Sequence, residues 1–143
     1  MIRTCPSCGQ KNRVDAAHLA STTRCGKCKT PLGPVAEPIA ADVELFEDVR
    51  RNAAVPVLVD FWAAWCGPCR MAAPEVAKVA SSMAGRALVL KVDTDRHPAL
   101  ASQYGVQGIP NFLVLKGGLI VHQHAGVVSH AAMEGWLERA GGN

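Results

Sequence analysis

Six cysteines, arranged as three Cys-x-x-Cys pairs, constrain this 143-residue chain more than any other feature. The pairs begin at residues 5, 25 and 66, and no cysteine follows Cys69. A secreted domain held by disulfides would distribute its cysteines through the whole chain. Pairs that stop halfway along the chain are instead typical of metal binding or of thiol–disulfide chemistry.

The composition is that of a folded, soluble protein. Hydrophobic residues make up 49% of the chain and charged residues 19%, and the formal net charge is +3. These values argue against a disordered chain, a coiled coil or a strongly basic nucleic-acid-binding protein. No apolar run approaches the roughly 18 residues of a membrane span, and the first residues contain no apolar leader segment. We therefore expect a cytoplasmic protein, and nothing in the sequence demands more than a monomer.

The amino-terminal cysteines, Cys5, Cys8, Cys25 and Cys28, follow the spacing Cys-x2-Cys-x16-Cys-x2-Cys. This spacing predicts a zinc-ribbon-like site, in which each pair forms one tight turn and the four thiolates surround a single structural Zn2+. Iron, or a reactive cluster that forms disulfides, would use the same residues. Because residues 1–33 contain no aromatic side chain, we expect the metal to replace an apolar core, and we do not expect nucleic-acid binding.

A change of pattern follows this segment. Two prolines and a glycine between residues 33 and 38 interrupt both helical and strand hydrogen bonding. We predict a zinc-binding module over 1–33 and a second domain over 34–143, in which 34–38 form a linker or a first strand.

Strand and helix signals alternate in the second domain. The predicted elements are a helix that begins after Asp42, a strand over 57–62, a helix from about Pro68 to Met83, a strand over 88–92, a short helix over 97–104, a hairpin of 112–115 and 119–124, and a helix over 129–140. This order predicts an α/β fold with a mixed central sheet flanked by helices.

The third cysteine pair, Cys66 and Cys69, has no partner pair to complete a metal site and lies at a predicted strand-to-helix junction. Unpaired N–H groups and the positive end of the dipole at a helix start favour a thiolate, so we expect Cys66 to be a nucleophile and Cys69 a resolving thiol. The Cys66 thiolate would attack a substrate disulfide, and Cys69 would then attack Cys66 to release the reduced product. A static disulfide, or half of a shared metal site, is the alternative.

The motif Val-Asp-Phe-Trp-Ala-Ala-Trp-Cys-Gly-Pro-Cys-Arg over 59–70, together with Gly108-Ile109-Pro110 and Gly126, resembles the thioredoxin family. The resemblance extends from about residue 39 to residue 140. With its amino-terminal cysteines, the chain is similar to the bacterial thioredoxins that carry an added zinc domain. The resemblance implies the thioredoxin fold and a cytoplasmic protein-disulfide reductase that an NADPH-dependent thioredoxin reductase recharges.

Two rival functions stay open at this point. An oxidase or isomerase would need a more oxidising cysteine pair, whereas the Gly67-Pro68 dipeptide resembles reductases. A zinc-mediated adaptor for nucleic acid or protein would use the thioredoxin domain only as a scaffold.

The resemblance also implies roles around the cysteines. Asp60 would lie beneath them with a raised pKa and help to deprotonate Cys69, and Lys91 would influence the titration of Asp60. A hydrogen-bonded structural aspartate and a surface lysine are the alternatives. Trp62 and Trp65 would surround the active site and shield the disulfide without taking part in the chemistry.

Substrate contacts are implied as well. The Ile109–Pro110 peptide bond would be cis and face Cys66, so that the Ile109 backbone pairs with an extended substrate segment. The sequence by itself favours an ordinary trans proline. Gly67, Pro68, Ile109 and Gly126 would form a small apolar surface around an exposed sulfur. Asn111 departs from the family, which usually carries threonine after this proline.

Overall fold

The computed structural model describes residues 1–141. The last two residues of the domain predicted over 34–143 therefore lie outside the described residues. None of the helices within residues 1–141 combines the length and the hydropathy that crossing a membrane requires.

Residues 1–33, which we call the amino-terminal module, contain two small antiparallel hairpins. Each Cys-x-x-Cys pair occupies the turn of one hairpin, because β1 pairs with β2 around the first pair and β3 pairs with β4 around the second. The elements of the module are β1 (Ile2–Thr4), β2 (Lys11–Arg13), a 3₁₀ helix (Ala16–His18), β3 (Thr23–Arg24) and β4 (Pro31–Leu32).

Beyond the module, every helix and strand except the first strand occurs where the sequence predicts it, within a few residues at each end. They are β5 (Ile39–Ala40), α1 (Val43–Asn52), β6 (Val57–Trp62), α2 (Gly67–Ser82), β7 (Leu88–Asp93), α3 (Pro98–Gln103), β8 (Asn111–Lys116), β9 (Leu119–Ala125) and α4 (His130–Arg139). The sequence does not reveal β5. Residues 34–38 contain no strand, and the first strand of this domain follows them.

Local chemistry explains where the helices begin. Asp42 precedes α1, and its Oδ1 accepts a hydrogen bond from the backbone N–H of Leu45 at 2.8 Å. Ser129 caps α4 in the same way, accepting from the N–H of Ala132 at 3.2 Å. Pro68 lies in the first turn of α2, where its missing N–H leaves no helical hydrogen bond unmade.

The second domain contains a five-stranded mixed sheet in the order β5-β7-β6-β8-β9. The central strand β6 runs parallel to β7 and antiparallel to β8, while β5 is parallel to β7 and β9 antiparallel to β8. Both faces of β6 are covered. Val59 and Phe61 face a core shared with α1 and α3, and Leu58 faces a core shared with α2 and α4. The predicted α/β fold, with a mixed sheet flanked by helices, is confirmed.

The amino-terminal module packs against the core of the second domain. Val14, Leu19 and Val35 are buried in the same cluster as Phe46 of α1. The backbone N–H of Val35 donates to the carbonyl of Leu19 at 2.9 Å and fixes the connection. Although the module contains no aromatic residue, its aliphatic side chains form part of the hydrophobic core of the second domain. The module consequently lies beside α1.

Candidate functional site

The sulfur atoms of Cys5, Cys8, Cys25 and Cys28 lie within 4.8 Å of one another. The Cys5–Cys28 and Cys8–Cys25 sulfur pairs are each 3.6 Å apart. Four thiolates about 2.3 Å from one tetrahedral ion would lie about 3.8 Å from each other. The two hairpins thus hold the four predicted ligands in positions that fit a single tetrahedral metal ion.

The thiols of this cluster differ in acidity. Backbone hydrogen bonds from Cys28 and Lys27 outweigh burial and lower the pKa of Cys25 to about 6. The hydroxyl and backbone of Thr30 lower the pKa of Cys28. A backbone hydrogen bond from Gln10 lowers the pKa of Cys8, but burial and the neighbouring thiols raise it overall to about 12. Several thiolates cannot share so small a volume without a cation between them, and a divalent ion would remove this repulsion.

Cys66 and Cys69 form a disulfide at the start of α2, with their Cα atoms 5.2 Å apart. Cys66 is the N-cap residue, and its Sγ accepts a hydrogen bond from the backbone N–H of Cys69 at 3.1 Å. The positive end of the helix dipole and this N–H both favour a thiolate at Cys66 once the disulfide is reduced. The same sulfur lies 3.7 Å from the carbonyl oxygen of Ile109.

Little of either disulfide-bonded cysteine is exposed. Taken over the whole residue, Cys66 is 4% exposed and Cys69 is 5% exposed. Ala63 and the partly buried side chains of Trp62 and Ile109 pack against the pair. The surroundings of the disulfide are therefore apolar.

Asp60 is a buried acid on the central strand. It is 1% exposed, and its Oδ1 has no hydrogen-bond partner within residues 1–141. Burial raises the pKa of its carboxyl to about 7, although the positive charge of Lys91 lowers it. Lys91 is the residue opposite Asp60 in the β6–β7 pair, and its Nζ lies 4.7 Å from the centre of the Trp62 ring. A carboxyl group that can take up or release a proton near neutral pH therefore lies on the strand that leads to Cys66.

The residues implied to contact substrate meet beside Cys66. The Ile109–Pro110 peptide bond is cis. The carbonyl oxygen of Pro110 accepts a hydrogen bond from the N–H of Gly126 at 2.8 Å, which ties the loop after β9 to the start of β8. Pro68 is exposed and Gly67 is partly exposed at the start of α2.

The two tryptophans differ in position. Trp62 packs against the disulfide, whereas Trp65 lies outside that cluster and its side chain is 67% exposed. The indole N–H of Trp65 donates to both carboxylate oxygens of Asp95, at 3.0 and 3.2 Å. Of these two tryptophans, Trp62 packs against the disulfide, whereas Asp95 holds the Trp65 ring on the surface.

Sequence reasoning missed the polar residues that brace the active-site loop. Arg70 donates from Nη1 to the carbonyl of Ala64 at 2.7 Å. The N–H and the hydroxyl of Thr94 donate to the carbonyl of Trp62 at 2.9 and 3.1 Å. The only signal for Thr94 and Asp95 is their place directly after β7, because functional loops of such sheets follow the carboxyl ends of parallel strands.

Asn111 is buried as well, at 5% exposure, and its Oδ1 accepts a hydrogen bond from Gln123 Nε2 at 3.2 Å. The amide therefore replaces a threonine without leaving its oxygen unsatisfied.

Comparison with known proteins matches both parts of the chain. Residues 38–139 match the family model described as Thioredoxin, and residues 4–30 match the model described as Thioredoxin 2, N-terminal. Thioredoxin C-3 of Corynebacterium nephridii is 37% identical over 139 residues, which is 97% of this chain and 94% of the relative. Thioredoxin of Synechocystis sp. is 43% identical over 104 residues, 73% of this chain and 96% of the relative.

Solved structures agree with these relatives. A mutant thioredoxin from Halobacterium salinarum NRC-1 has a TM-score of 0.69 and 34% identity to this chain, and the match covers 74% of this chain and 92% of that chain. The resemblance stated from the motifs is thus confirmed over both segments. The chain belongs to the thioredoxin family, carries an amino-terminal module of the thioredoxin 2 type, and is a thiol–disulfide oxidoreductase, a thioredoxin-type disulfide reductase.

Proposed function

We propose that the protein reduces disulfides of target proteins through Cys66 and Cys69 and that a thioredoxin reductase recharges it. The observation that carries the proposal is the hydrogen bond from the Cys69 N–H to Cys66 Sγ at the start of α2. This geometry favours a thiolate at Cys66 over one at Cys69, which supports attack by the first cysteine and resolution by the second.

The reaction transfers two electrons to the substrate. The Cys66 thiolate attacks one sulfur of the substrate disulfide, the substrate S–S bond breaks, and the departing thiolate takes a proton. Cys69 then loses its proton and attacks Cys66 Sγ, which forms the Cys66–Cys69 disulfide and releases the second substrate thiolate. Reduction of this disulfide by the reductase, with electrons from NADPH, completes the cycle.

Asp60 is proposed as the acceptor of the Cys69 proton. Its burial and its pKa of about 7 support this role, because a base with a pKa near the working pH can both take up and return a proton. Lys91 is proposed as the positioning charge that keeps the pKa of Asp60 from rising further. A water molecule between the Asp60 carboxyl group and the Cys69 sulfur would relay the proton.

A rim of small and apolar groups is proposed to receive the substrate. Ile109, beside Cys66, would pair its backbone with an extended substrate segment, and Pro110 and Gly126 would border it. Gly67, Pro68, Trp62 and Trp65 complete the support of the site. The small number of side chains in this rim favours broad substrate choice.

The module over 1–33 is proposed as a zinc-binding unit attached to the thioredoxin domain over 34–143. Cys5, Cys8, Cys25 and Cys28 would hold one Zn2+, which supplies a structural cross-link between the two hairpins when it is bound. We further propose a monomer that acts in the cytoplasm. The oxidase, isomerase and adaptor functions are the rivals.

The proposal is tested by trapping the covalent intermediate. Reduced Cys69→Ser protein, mixed with insulin as a disulfide substrate, should accumulate a mixed disulfide at Cys66, because the resolving sulfur is missing. Cys66→Ser is the matched control and should form no adduct. Adducts on both variants, or on neither, contradict the assignment of the two cysteines.

The reduction potential of the Cys66–Cys69 pair tests the direction of electron flow. A value near that of thioredoxins, about −270 mV, supports a reductase. A value near −180 mV or higher would favour an isomerase or oxidase, since the difference corresponds to about 4 kcal/mol for a two-electron couple. Titration of Trp62 and Trp65 fluorescence in defined thiol buffers provides the measurement.

A further inference from the structure

A cleft of about 710 Å³ lies at the junction of the amino-terminal module and the thioredoxin domain. Met1 and Arg13 line it from the module, and Asp42 and Glu44 line it from the start of α1. We propose that this cleft is a docking site for the polypeptide segment that flanks the target disulfide in protein substrates. The inference rests on the proposed function and assigns the module a part in substrate binding, in addition to any structural role of its metal site.

The cleft and the redox site share Trp62. This side chain lines the cleft and also packs against the cluster that contains Cys66 and Cys69. Lys91 also lines the cleft, and its Nζ lies over the Trp62 ring. A chain that presents its disulfide to Cys66 would therefore continue past Trp62 into the cleft. The volume of the cleft lies within the range of about 300–1,000 Å³ that encloses a small ligand or a short peptide segment.

The path extends onto the module at Arg13. This residue lines the cleft and also a second groove, of about 270 Å³, on the module itself. His18, Thr23 and Arg24 border that groove.

The charges of the walls identify the occupant as polypeptide. Arg13 brings positive charge from the module, whereas Asp42, Glu44 and Asp48 bring negative charge from α1. None of these four side chains forms an ion pair with another group in the part of the chain that the structure describes. Lys91, Asp93 and Arg96 also line the cleft, so its charge is mixed as a whole. It offers no continuous positive surface for the phosphates of nucleic acid. A peptide with side chains of both signs can satisfy both walls.

The test compares synthetic peptide disulfides that differ only in their flanking segment. The short peptide holds little more than its disulfide. The long peptides add an extension of about ten residues, enough to span about 30 Å when extended, made either of alternating lysine and glutamate or of glycine and serine. For the unaltered protein we expect the charged extension to raise kcat/KM over the short peptide by about five- to ten-fold, and the glycine–serine extension to have little effect.

Two charge reversals on opposite walls check the assignment. Arg13→Glu and Glu44→Lys alter exposed residues, and each should bring the ratio of kcat/KM for the charged and short peptides close to one. Lys116→Glu is the control for Arg13→Glu: it changes net charge equally but lies outside both concavities, at the far end of β8, and should keep the full ratio.

The outcomes separate the two proposals. An equal rate for long and short peptides, or an unchanged ratio in both wall variants, overturns the docking site and leaves the reductase function standing. Displacement of the charged peptide by single-stranded DNA at low salt would likewise overturn it, in favour of a nucleic-acid surface. Failure of the unaltered protein to reduce even the short peptide overturns the proposed function and the docking site together.

Discussion

Asp60 shows how a single buried group links stability to chemistry. An ionised carboxylate without a hydrogen-bond partner is costly at 1% exposure, so the folded protein favours the protonated form. The pKa of Asp60 is raised from 3.8 to about 7, while in the unfolded chain the same group ionises near its ordinary value. Folding therefore becomes less favourable as the pH rises from about 4 to about 7, because only the unfolded chain ionises freely in that window.

Asp60→Asn should remove this pH dependence. The amide does not titrate, so the free energy of unfolding of the variant should exceed that of the original protein increasingly between pH 4 and pH 8. The total gain should be about 3 to 4 kcal/mol, since each unit of pKa shift corresponds to about 1.4 kcal/mol. Urea denaturation of both oxidised proteins across this pH range provides the measurement.

The same variant should also reduce protein disulfides more slowly near neutral pH if Asp60 accepts the Cys69 proton. A difference in unfolding free energy that does not vary with pH would mean that Asp60 titrates normally, and its assignment as the base would be wrong.

At the scale of the element, the stability of α1 depends on the residue that caps its start. Asp42 satisfies the N–H of Leu45 at 2.8 Å, and caps of this kind contribute about 1 kcal/mol. Asp42→Ala should lower the melting temperature by about 3–5 °C. Asp15→Ala is a matched control, because Asp15 precedes the 3₁₀ helix without making a side-chain cap hydrogen bond. Equal losses in the two variants, measured by thermal denaturation, would contradict the role of the cap.

Elements with a local signal could be predicted from the sequence. The apolar run over 57–62 predicts β6, and the capping aspartate and apolar spacing predict α1. β5 could not be predicted in the same way because its two residues form a strand only by pairing with β7. The low exposure of Cys66 also escaped prediction, since Ile109, which packs against the cysteine pair together with the nearby Trp62 and Ala63, comes from a distant part of the chain.

At the scale of the whole molecule, the module and the thioredoxin domain share a hydrophobic core. Val14, Leu19 and Val35 lie in the core of the domain, and Gly85, after α2, approaches Pro34. The sequence revealed the four metal-ligand candidates through their spacing, but it could not reveal this packing. Burial of scattered aliphatic residues is a property of the tertiary structure.

Removal of the proposed zinc ion should therefore weaken the whole protein. Without a cross-link between its hairpins, the module loses the support that holds Val14 and Leu19 in the shared core. We expect a single thermal transition for the metal-loaded protein and a fall of about 10 °C or more after treatment with a strong chelator.

Cys25→Ser, which lacks one ligand, should melt at the lower temperature and respond little to the chelator. Two separate transitions, with the second insensitive to metal, would show that the module folds independently. Differential scanning calorimetry distinguishes these outcomes.

The low exposure of Cys66 also limits which substrates the enzyme can reduce. Only 4% of the Cys66 residue is exposed, and Trp62 and Ile109 pack against the cysteine pair. We therefore expect a cystine on a projecting segment to reach this site most readily. We expect compact proteins whose disulfides lie beneath their own surface to be poor substrates, and unfolded chains or projecting loops to be good ones. This selection by shape would act at Cys66 itself, in addition to the docking that we propose for the cleft.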